Sequence, residues 1–346
     1  MLNILIMAGG KGTRFWPMST DEKPKQFLDL IDEKTMIQAT VERLHSLVSL
    51  DHIFICTANQ YVPLVMEQLP NLPKRNIIIE PVGRNTAPCI LLSTLYIRQL
   101  YEDSHIVVLP SDHKINNEKE LLHILTSADM FLNMHKDSIV TIGITPDRPE
   151  TGYGYIKYGN NIDYVQGYEI KRVNMFVEKP DIEKAKEYLI DGHYLWNAGM
   201  FMFDSNFMIH EFEKYYSSYR LLATLPSIND NSYFKELQRK YLDCEAISID
   251  YAIMEKSKNI YVIPADFGWD DIGSWKALER YISKDAYGNI LKGNIKIYNS
   301  NDCIVYGQNK KIMLLDVEDI FCIDTGEKIV IGRKGSLSKV HELRGK

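Results

Sequence analysis

Three glycines within four positions, Gly9, Gly10 and Gly12, lie among Ala8, Lys11, Thr13 and Arg14, straight after the apolar run Ile4–Met7. Glycine lets a backbone come close to another group. Successive N–H groups in such a loop make a concave nest for an anion. Lys11 and Arg14 add positive charge, and Lys23 and Lys25 follow soon after. The chemistry this pattern serves is phosphate binding, and we expect the loop to wrap the phosphates of a nucleotide. Two familiar phosphate loops do not fit. A Walker A loop needs Gly-Lys-Ser/Thr, and Gly12 follows Lys11 here. A dinucleotide fingerprint needs a third glycine opening a helix, and that place holds Phe15, ahead of Trp16 and Pro17. A glycine-rich turn after a first strand is the other reading.

Further along, polar residues interrupt apolar runs. Asp112, in Pro110-Ser111-Asp112-His113, could hold Mg²⁺ facing a phosphate or cap a turn. Arg84 and Asn85 fall in Glu80-Pro81-Val82-Gly83-Arg84-Asn85-Thr86-Ala87-Pro88. Asn85 or Thr86 could cap a helix there, with Pro88 in its first turn. Glu178-Lys179 by itself reads as a surface ion pair. Asn197, alone in the apolar run Tyr194–Phe203, needs partners; a sugar's hydroxyls or nearby backbone would supply them. The adjacent Asp270 and Asp271 are costly in an apolar setting. A metal would satisfy one, and the other could cap a helix starting near Ser274.

These residues need a frame to bring them together. Short runs rich in Ile and Val, His52–Thr57, Asn76–Glu80, His105–Leu109 and Ser138–Ile144, predict strands. Between them, Met36–Val48, Val62–Gln68, Thr86–Leu100 and Glu118–His135 have helical spacing, and Thr35 with Gln38 makes a capping box. The alternation predicts an α/β fold, a Rossmann-like mostly parallel sheet flanked by helices. Ligands then bind outside the carboxyl ends of the strands. Glu169–Val177 reads as a strand, and a helix follows from the cap Asp181 to Gly192. Helical segments are expected at Asn206–Tyr216, Ser232–Leu242 and Ile249–Lys256. From Tyr287 on, short β-like runs predict a small all-β module, a β-helix-like stack or hairpins. The expected domains are 1–284 and 285–346, with an edge of the second packing on the first or on a second subunit.

Composition excludes several classes. The 346 residues carry a net charge of -6, against a nucleic-acid or anionic-membrane surface. No apolar run of about 18 residues predicts a membrane helix. The five cysteines are scattered without a Cys-x-x-Cys pair, which suggests neither a disulfide framework nor a zinc site. Cys56 and Cys89 read as small core side chains, and a reducing, cytoplasmic setting fits.

Taken in order, the motifs resemble those of the sugar nucleotidyltransferases, and within them the mannose-1-phosphate guanylyltransferases. Gly9–Arg14 with Pro17 resembles the signature loop, and Lys23-Pro24-Lys25-Gln26-Phe27 the lysine segment after it. Glu80–Pro88, Pro110–His113, Phe176–Pro180, Trp196–Met200 and Ser248-Ile249-Asp250-Tyr251 resemble the guanylyl branch. Phe15 departs from the usual leucine. Asp270 departs from the usual small residue before the second metal aspartate, which leaves open whether Asp270 shares in the metal; position favours Asp271.

The resemblance implies that GTP and mannose 1-phosphate give GDP-mannose and pyrophosphate. It implies Mg²⁺ on Asp112 and Asp271, with Arg14 and Lys25 on the triphosphate. Ala8, Gly9, Gly10, Gly12, Thr13 and Ser111 would line the nucleotide, with Glu80 and Asn85 near the base. Lys179 would bind the sugar's phosphate, and Gly154, Glu178 and Asn197 its hydroxyls. A homodimer through the C-terminal module is possible on this reading. The alternatives are an enzyme of the same fold using another sugar 1-phosphate or nucleotide, or a non-catalytic nucleotide-sensing relative. An oxidoreductase is disfavoured because no helix follows the glycines.

Overall fold

The computed structural model describes residues 1–10 and 12–344, the side chain of Asn161 apart. The first strands and helices alternate: β1 Leu2–Met7, α1 Met36–Glu42, β2 Ile53–Ala58, α2 Val62–Gln68, β3 Ile77–Glu80, α3 Thr86–Leu100, β4 His105–Pro110, β5 Lys114–Ile115, α4 Glu118–Met134 and β6 Ile139–Ile144. There follow β7 Tyr155–Val165, β8 Tyr168–Val177, α5 Ile182–Asp191, β9 Tyr194–Asp204, α6 Ser205–Tyr215, α7 Tyr219–Ala223, α8 Tyr233–Tyr241, β10 Ile260–Ala265, β11 Trp269–Asp270 and α9 Trp275–Leu278. Strands β12 Ile290–Lys292, β13 Ile295–Tyr298, β14 Ile304–Gly307, β15 Ile312–Leu315, β16 Ile320–Asp324 and β17 Ile329–Arg333 come next, and a 3-10 segment, Lys334–Leu343, follows them.

The chain divides into two compact units, Met1–Gly9 with Thr40–Asp270, and Gly10–Ala39 with Asp271–Lys346. The cuts fall inside the glycine run and between the paired aspartates. This division runs elsewhere than the 284/285 boundary expected from the sequence. Composition changes after Tyr287, but the second unit also claims a segment near the N-terminus, and no local pattern announces that.

In the first unit, nine strands among the described residues form one sheet, in the order β3-β2-β1-β4-β9-β6-β10-β8-β7. The pairs β3–β2, β2–β1, β1–β4 and β6–β10 are parallel, as the alternation predicts. Strand β9 is antiparallel to β4, β6 and β7. Ile4, Leu5 and Ile6 of β1 are wholly buried, each stabilising the fold by about 1.5–3 kcal/mol relative to exposure.

The reversal of β9 matters for position. Strands β1, β3 and β4 end at one edge of the sheet. An antiparallel strand begins at that edge, so residues early in β9 lie there. The register slips between Thr141 and Gly143, where Asn197 pairs with Gly143 and Phe201 with Thr141. Gly199, inside this bulge, has φ +65°. A bulge re-aims side chains, so the interruption at Asn197 and Gly199 is an irregular turn of the strand at the ligand edge.

Other expectations need correction. The helix expected to Val48 stops at Glu42, because Leu44 and Leu47 donate to carbonyls three residues back, Val41 and Leu44. The helix expected over Ile249–Lys256 contains a π turn, Asp250–Met254, with Glu255 N–H donating to the Asp250 carbonyl at 2.9 Å. Such turns are frequent at functional sites.

The second unit has its own core. Phe15, Trp16, Leu28 and Leu30 pack with Ile272, Trp275, Ile290, Tyr306, Phe321 and Val340. Strands β12, β14 and β16 pair in parallel, as do β13 and β15. Parallel pairing of alternate strands is a stacked coil, which resolves the choice between a β-helix-like stack and hairpins. Among the described residues of this module only β17 folds back, antiparallel to β16. The capping box is present: Thr35 N–H donates to Gln38 Oε1 at 3.0 Å, and Gln38 N–H to Thr35 Oγ1 at 3.4 Å.

Candidate active site

The first unit holds the opening of the glycine turn. Ala8 is pinned on both sides: its N–H donates to the Cys56 carbonyl at 2.8 Å, and its carbonyl accepts from Thr57 Oγ1 at 3.0 Å. A Cβ on Gly9 would lie 2.9 Å from Glu80 Oε2. The turn therefore passes directly against the carboxylate at the end of β3, and a side chain at position 9 would have to push that carboxylate aside. Glu80 is buried, and Tyr241 Oη donates to its Oε1 at 2.5 Å. Burial pushes the Glu80 carboxyl up, while the bonds from Tyr241 and the backbone at Arg84 oppose that. Sequence reasoning found Glu80 but not Tyr241, which is 161 residues away on α8 and carries no local signal.

Asn85 is held differently from Glu80. It is exposed, has φ +68°, and caps α3 by accepting from Thr86 N–H at 2.8 Å. Ser111 donates its N–H to the Met7 carbonyl at 3.2 Å, and its own carbonyl accepts from Thr40 Oγ1 at 3.2 Å. These bonds fix the turn that leaves β4. Asp112 follows, half-buried.

A second group in this unit converges on Gly154. A Cβ there would lie 2.7 Å from Glu178 Oε2 and 3.4 Å from Asn197 Cβ. Asn197 N–H donates to the Gly154 carbonyl at 2.8 Å. Its side chain is held at both ends: Nδ2 donates to Asp250 Oδ1 at 2.8 Å, and Oδ1 accepts from Gly199 N–H at 3.0 Å. One N–H and one lone pair of the amide are then left for a ligand. Lys179 has φ +42° and pairs with Glu178 Oε1 at 2.8 Å, so the ion pair read from the sequence exists. Asp250 was missed as a site residue. Burial, and then the charge of Glu178, raises its carboxyl to about 6. The motif around Asp250 was legible, but not that the π turn would aim it at Asn197. Tyr153 packs edge-on against Trp196 and Trp269 beside this group, with ring centroids 5.2 and 5.0 Å apart.

The second unit holds the rest of the turn. Lys11 lies outside the described residues. Gly10 accepts from Gln26 Nε2 at 3.0 Å. Gly12 has φ +52°, and a Cβ would lie 2.5 Å from the Lys25 backbone nitrogen, so a side chain is excluded twice over. Residues Thr13–Phe15 form a 3-10 turn that points Phe15 into the core and leaves Arg14 exposed. Lys25 is buried, and its Nζ donates to the Asp271 carbonyl at 2.5 Å. Asp271 Oδ1 accepts from Gly273 N–H at 3.0 Å. A Cβ on Gly273 would lie 2.9 Å from Asp271 Oδ2 and 3.1 Å from Arg14 Nη1. Gly12, Arg14, Lys25 and Asp271 are thus one cluster.

The paired aspartates have different surroundings. Asp270 is buried and pairs with Lys114 in the short β5–β11 ladder. Asp271 is half-buried, beyond the ladder's end. Neither caps the next helix. Ser274 does so, its Oγ accepting from Ala277 N–H at 3.2 Å.

Comparison with known proteins matches a family model described as nucleotidyl transferase over residues 3–287. The chain is 35% identical to an Escherichia coli mannose-1-phosphate guanylyltransferase, over 98% of this chain and 74% of that one. It is 38% identical to a Klebsiella pneumoniae protein of the same description, over 96% and 70%. Among solved structures it is similar to one from Thermus thermophilus, described as a mannose-1-phosphate geranyltransferase. The TM-score is 0.83 at 32% identity, covering 99% of this chain and 98% of that one.

Proposed function

The chain belongs to the mannose-1-phosphate guanylyltransferase family of nucleotidyltransferases, and we propose from that premise how its own residues carry GMP from GTP to mannose 1-phosphate. A sugar phosphate is already an anionic oxygen nucleophile at neutral pH, its second pKa being roughly 6. Its oxygen bonds to the α-phosphorus of GTP while the bond to the β-phosphate oxygen breaks, and pyrophosphate leaves. No side chain need remove a proton. The protein's work is to hold two polyanions in line and offset their repulsion.

Arg14 and Lys25 are assigned to the triphosphate and to the charge that builds on pyrophosphate. Ala8, Gly9, Gly10, Gly12, Thr13 and Ser111 line the nucleotide. Glu80 and Asn85 serve the base: guanine presents donors on its pairing edge, and a carboxylate accepts them. Lys179 takes the phosphate of the sugar. It must first leave Glu178, which costs little because Lys179 is exposed and such pairs contribute about 0–1 kcal/mol. Released, Glu178 joins Asn197 and the backbone at Gly154 on the sugar hydroxyls, and Asp250 keeps the Asn197 amide oriented.

Nucleotidyltransferases work with a divalent cation, and we assign Mg²⁺ here to Asp112 and Asp271. Both are half-buried carboxylates, the hard oxygen donors this ion prefers. When bound, Mg²⁺ neutralises phosphate charge in the displacement.

The observation that carries this assignment is the convergence of Glu178, Lys179, Asn197 and Asp250 beside the missing side chain of Gly154. The test is pyrophosphate release with each nucleoside triphosphate against several sugar 1-phosphates. GTP with mannose 1-phosphate should lead. Equal or better turnover with another pair would refute the substrate assignment.

No helix among the described residues is long and apolar enough to cross a membrane. The five buried free cysteines support a cytoplasmic setting. A homodimer through the C-terminal module is supported by the outer faces of β13 and β15, where Tyr298, Met313 and Leu315 are at least 65% exposed.

A further inference from the structure

We propose that Cys56, Cys89 and Glu80 form a binding site for a thiophilic divalent cation of the zinc class. One ligand atom from each, the two Sγ atoms and a carboxylate oxygen, lie within 4.8 Å of one another. Among the described residues no other three His, Cys, Asp or Glu side chains gather so closely. The two cysteines are far apart in the chain and gave no spacing signal, which is why the sequence suggested no zinc site.

Two sulfurs and a carboxylate are a donor set that zinc takes. With bonds of about 2.0–2.3 Å and tetrahedral angles, neighbouring ligand atoms sit about 3.3–3.8 Å apart. Atoms that lie within 4.8 Å then need to close by at most about 1.5 Å. Three neighbouring elements carry them. Cys56 is on β2, Glu80 ends β3 in register with Ala58 of β2, and Cys89 is in the first turns of α3.

Glu80 is already oriented as a ligand should be. Tyr241 Oη holds its Oε1, and the backbone at Arg84 bonds the same carboxylate. Metal-ligating groups commonly have such an outer hydrogen-bond partner. Glu80 is 4%, Cys89 5% and Cys56 0% exposed, so the three donors are enclosed by protein. On binding, the thiols ionise and give their protons to solvent, and a water completes the fourth position. The assignment of Glu80 to the guanine base adds a consequence, which rests on that reading: a bound cation draws the carboxylate away and weakens GTP binding.

The test is titration of the reduced full chain with Co²⁺, without nucleotide. One Co²⁺ per chain should bind with an intense thiolate-to-metal charge-transfer band, and equimolar Zn²⁺ should erase it. The band should fall by about half in Cys89→Ser and vanish in Cys56→Ser/Cys89→Ser. No band in the unaltered chain would overturn the proposal, whatever the variants do. So would an undiminished band in a double variant that keeps the parent's circular dichroism, since the cation would then sit on other cysteines. The readout involves no substrate, so failure leaves the assignment of Glu80 to the base untouched. Failure of that assignment leaves the cation site standing.

Discussion

Replacing Asp250 by asparagine separates two roles of its side chain, because the amide keeps an oxygen to accept from Asn197 Nδ2 and loses the charge. Asp250 titrates near 6 in the folded chain, raised by burial and then by the charge of Glu178. Unfolded, it titrates near 3.9. The sign follows. Below about pH 3.9 both states hold the proton, and the favourable contribution of the protonated group to folding is fully present. As pH rises through about 6 the folded chain must give up that proton to a poorly solvated site, and the contribution is lost. At about 1.4 kcal/mol per pH unit of separation, the loss is at most about 3 kcal/mol. Asp250 is only half-buried, and water at its rim reduces this to about 1–2 kcal/mol. Urea unfolding of both proteins at pH 4.5, 6 and 8 reads the difference as a shift in midpoint. Asp250→Asn should be the more stable protein at pH 8, and its advantage should shrink towards pH 4.5. A parent chain that is more stable at pH 8 and loses that lead on acidification would refute the reasoning. That is the behaviour of a carboxylate held by a positive partner.

Three further outcomes are expected. Gly154→Ala places a methyl 2.7 Å from Glu178 Oε2; it should raise KM for mannose 1-phosphate at least about tenfold and leave KM for GTP near its original value, and steady-state kinetics with each substrate varied checks this. Asp271→Ala should keep the fold and lower kcat at least about a hundredfold, the cost of losing one electrostatic stabiliser; normal turnover with GTP and Mg²⁺ would remove Asp271 from the metal. Tyr241→Phe strips a donor from buried Glu80 and should lower stability by about 1–3 kcal/mol, seen as an earlier midpoint in urea.

Much of the frame was legible because periodicity is local. Helices Val62–Gln68 and Thr86–Leu100 match their expected bounds, and the cap at Asp181 and stop at Gly192 are where the sequence puts them. The glycines were legible too, since few other residues tolerate the positive φ and close backbone approach of Gly12. What was hidden depends on distant partners. Nothing in Tyr194–Phe203 says that the strand runs against its neighbours, yet that reversal and its bulge set Asn197 at the ligand edge. Tyr241 and Asp250 act on Glu80 and Asn197 across 161 and 53 residues. Lys25 showed its charge but not its burial beneath the Asp271 carbonyl.

The second unit's two segments are separated by roughly 230 residues, and that spacing has a consequence during synthesis. Phe15, Trp16, Leu28 and Leu30 leave the ribosome early, while Trp275, Tyr306 and Phe321, against which they pack, come last. At about 5–20 residues per second the wait is roughly 12–46 s. Through that interval a sticky apolar segment has no native cover, and a chain cut short near residue 270 would never provide it. Chaperone demand and insolubility of truncated products should therefore track the N-terminal aromatics, far from the break itself.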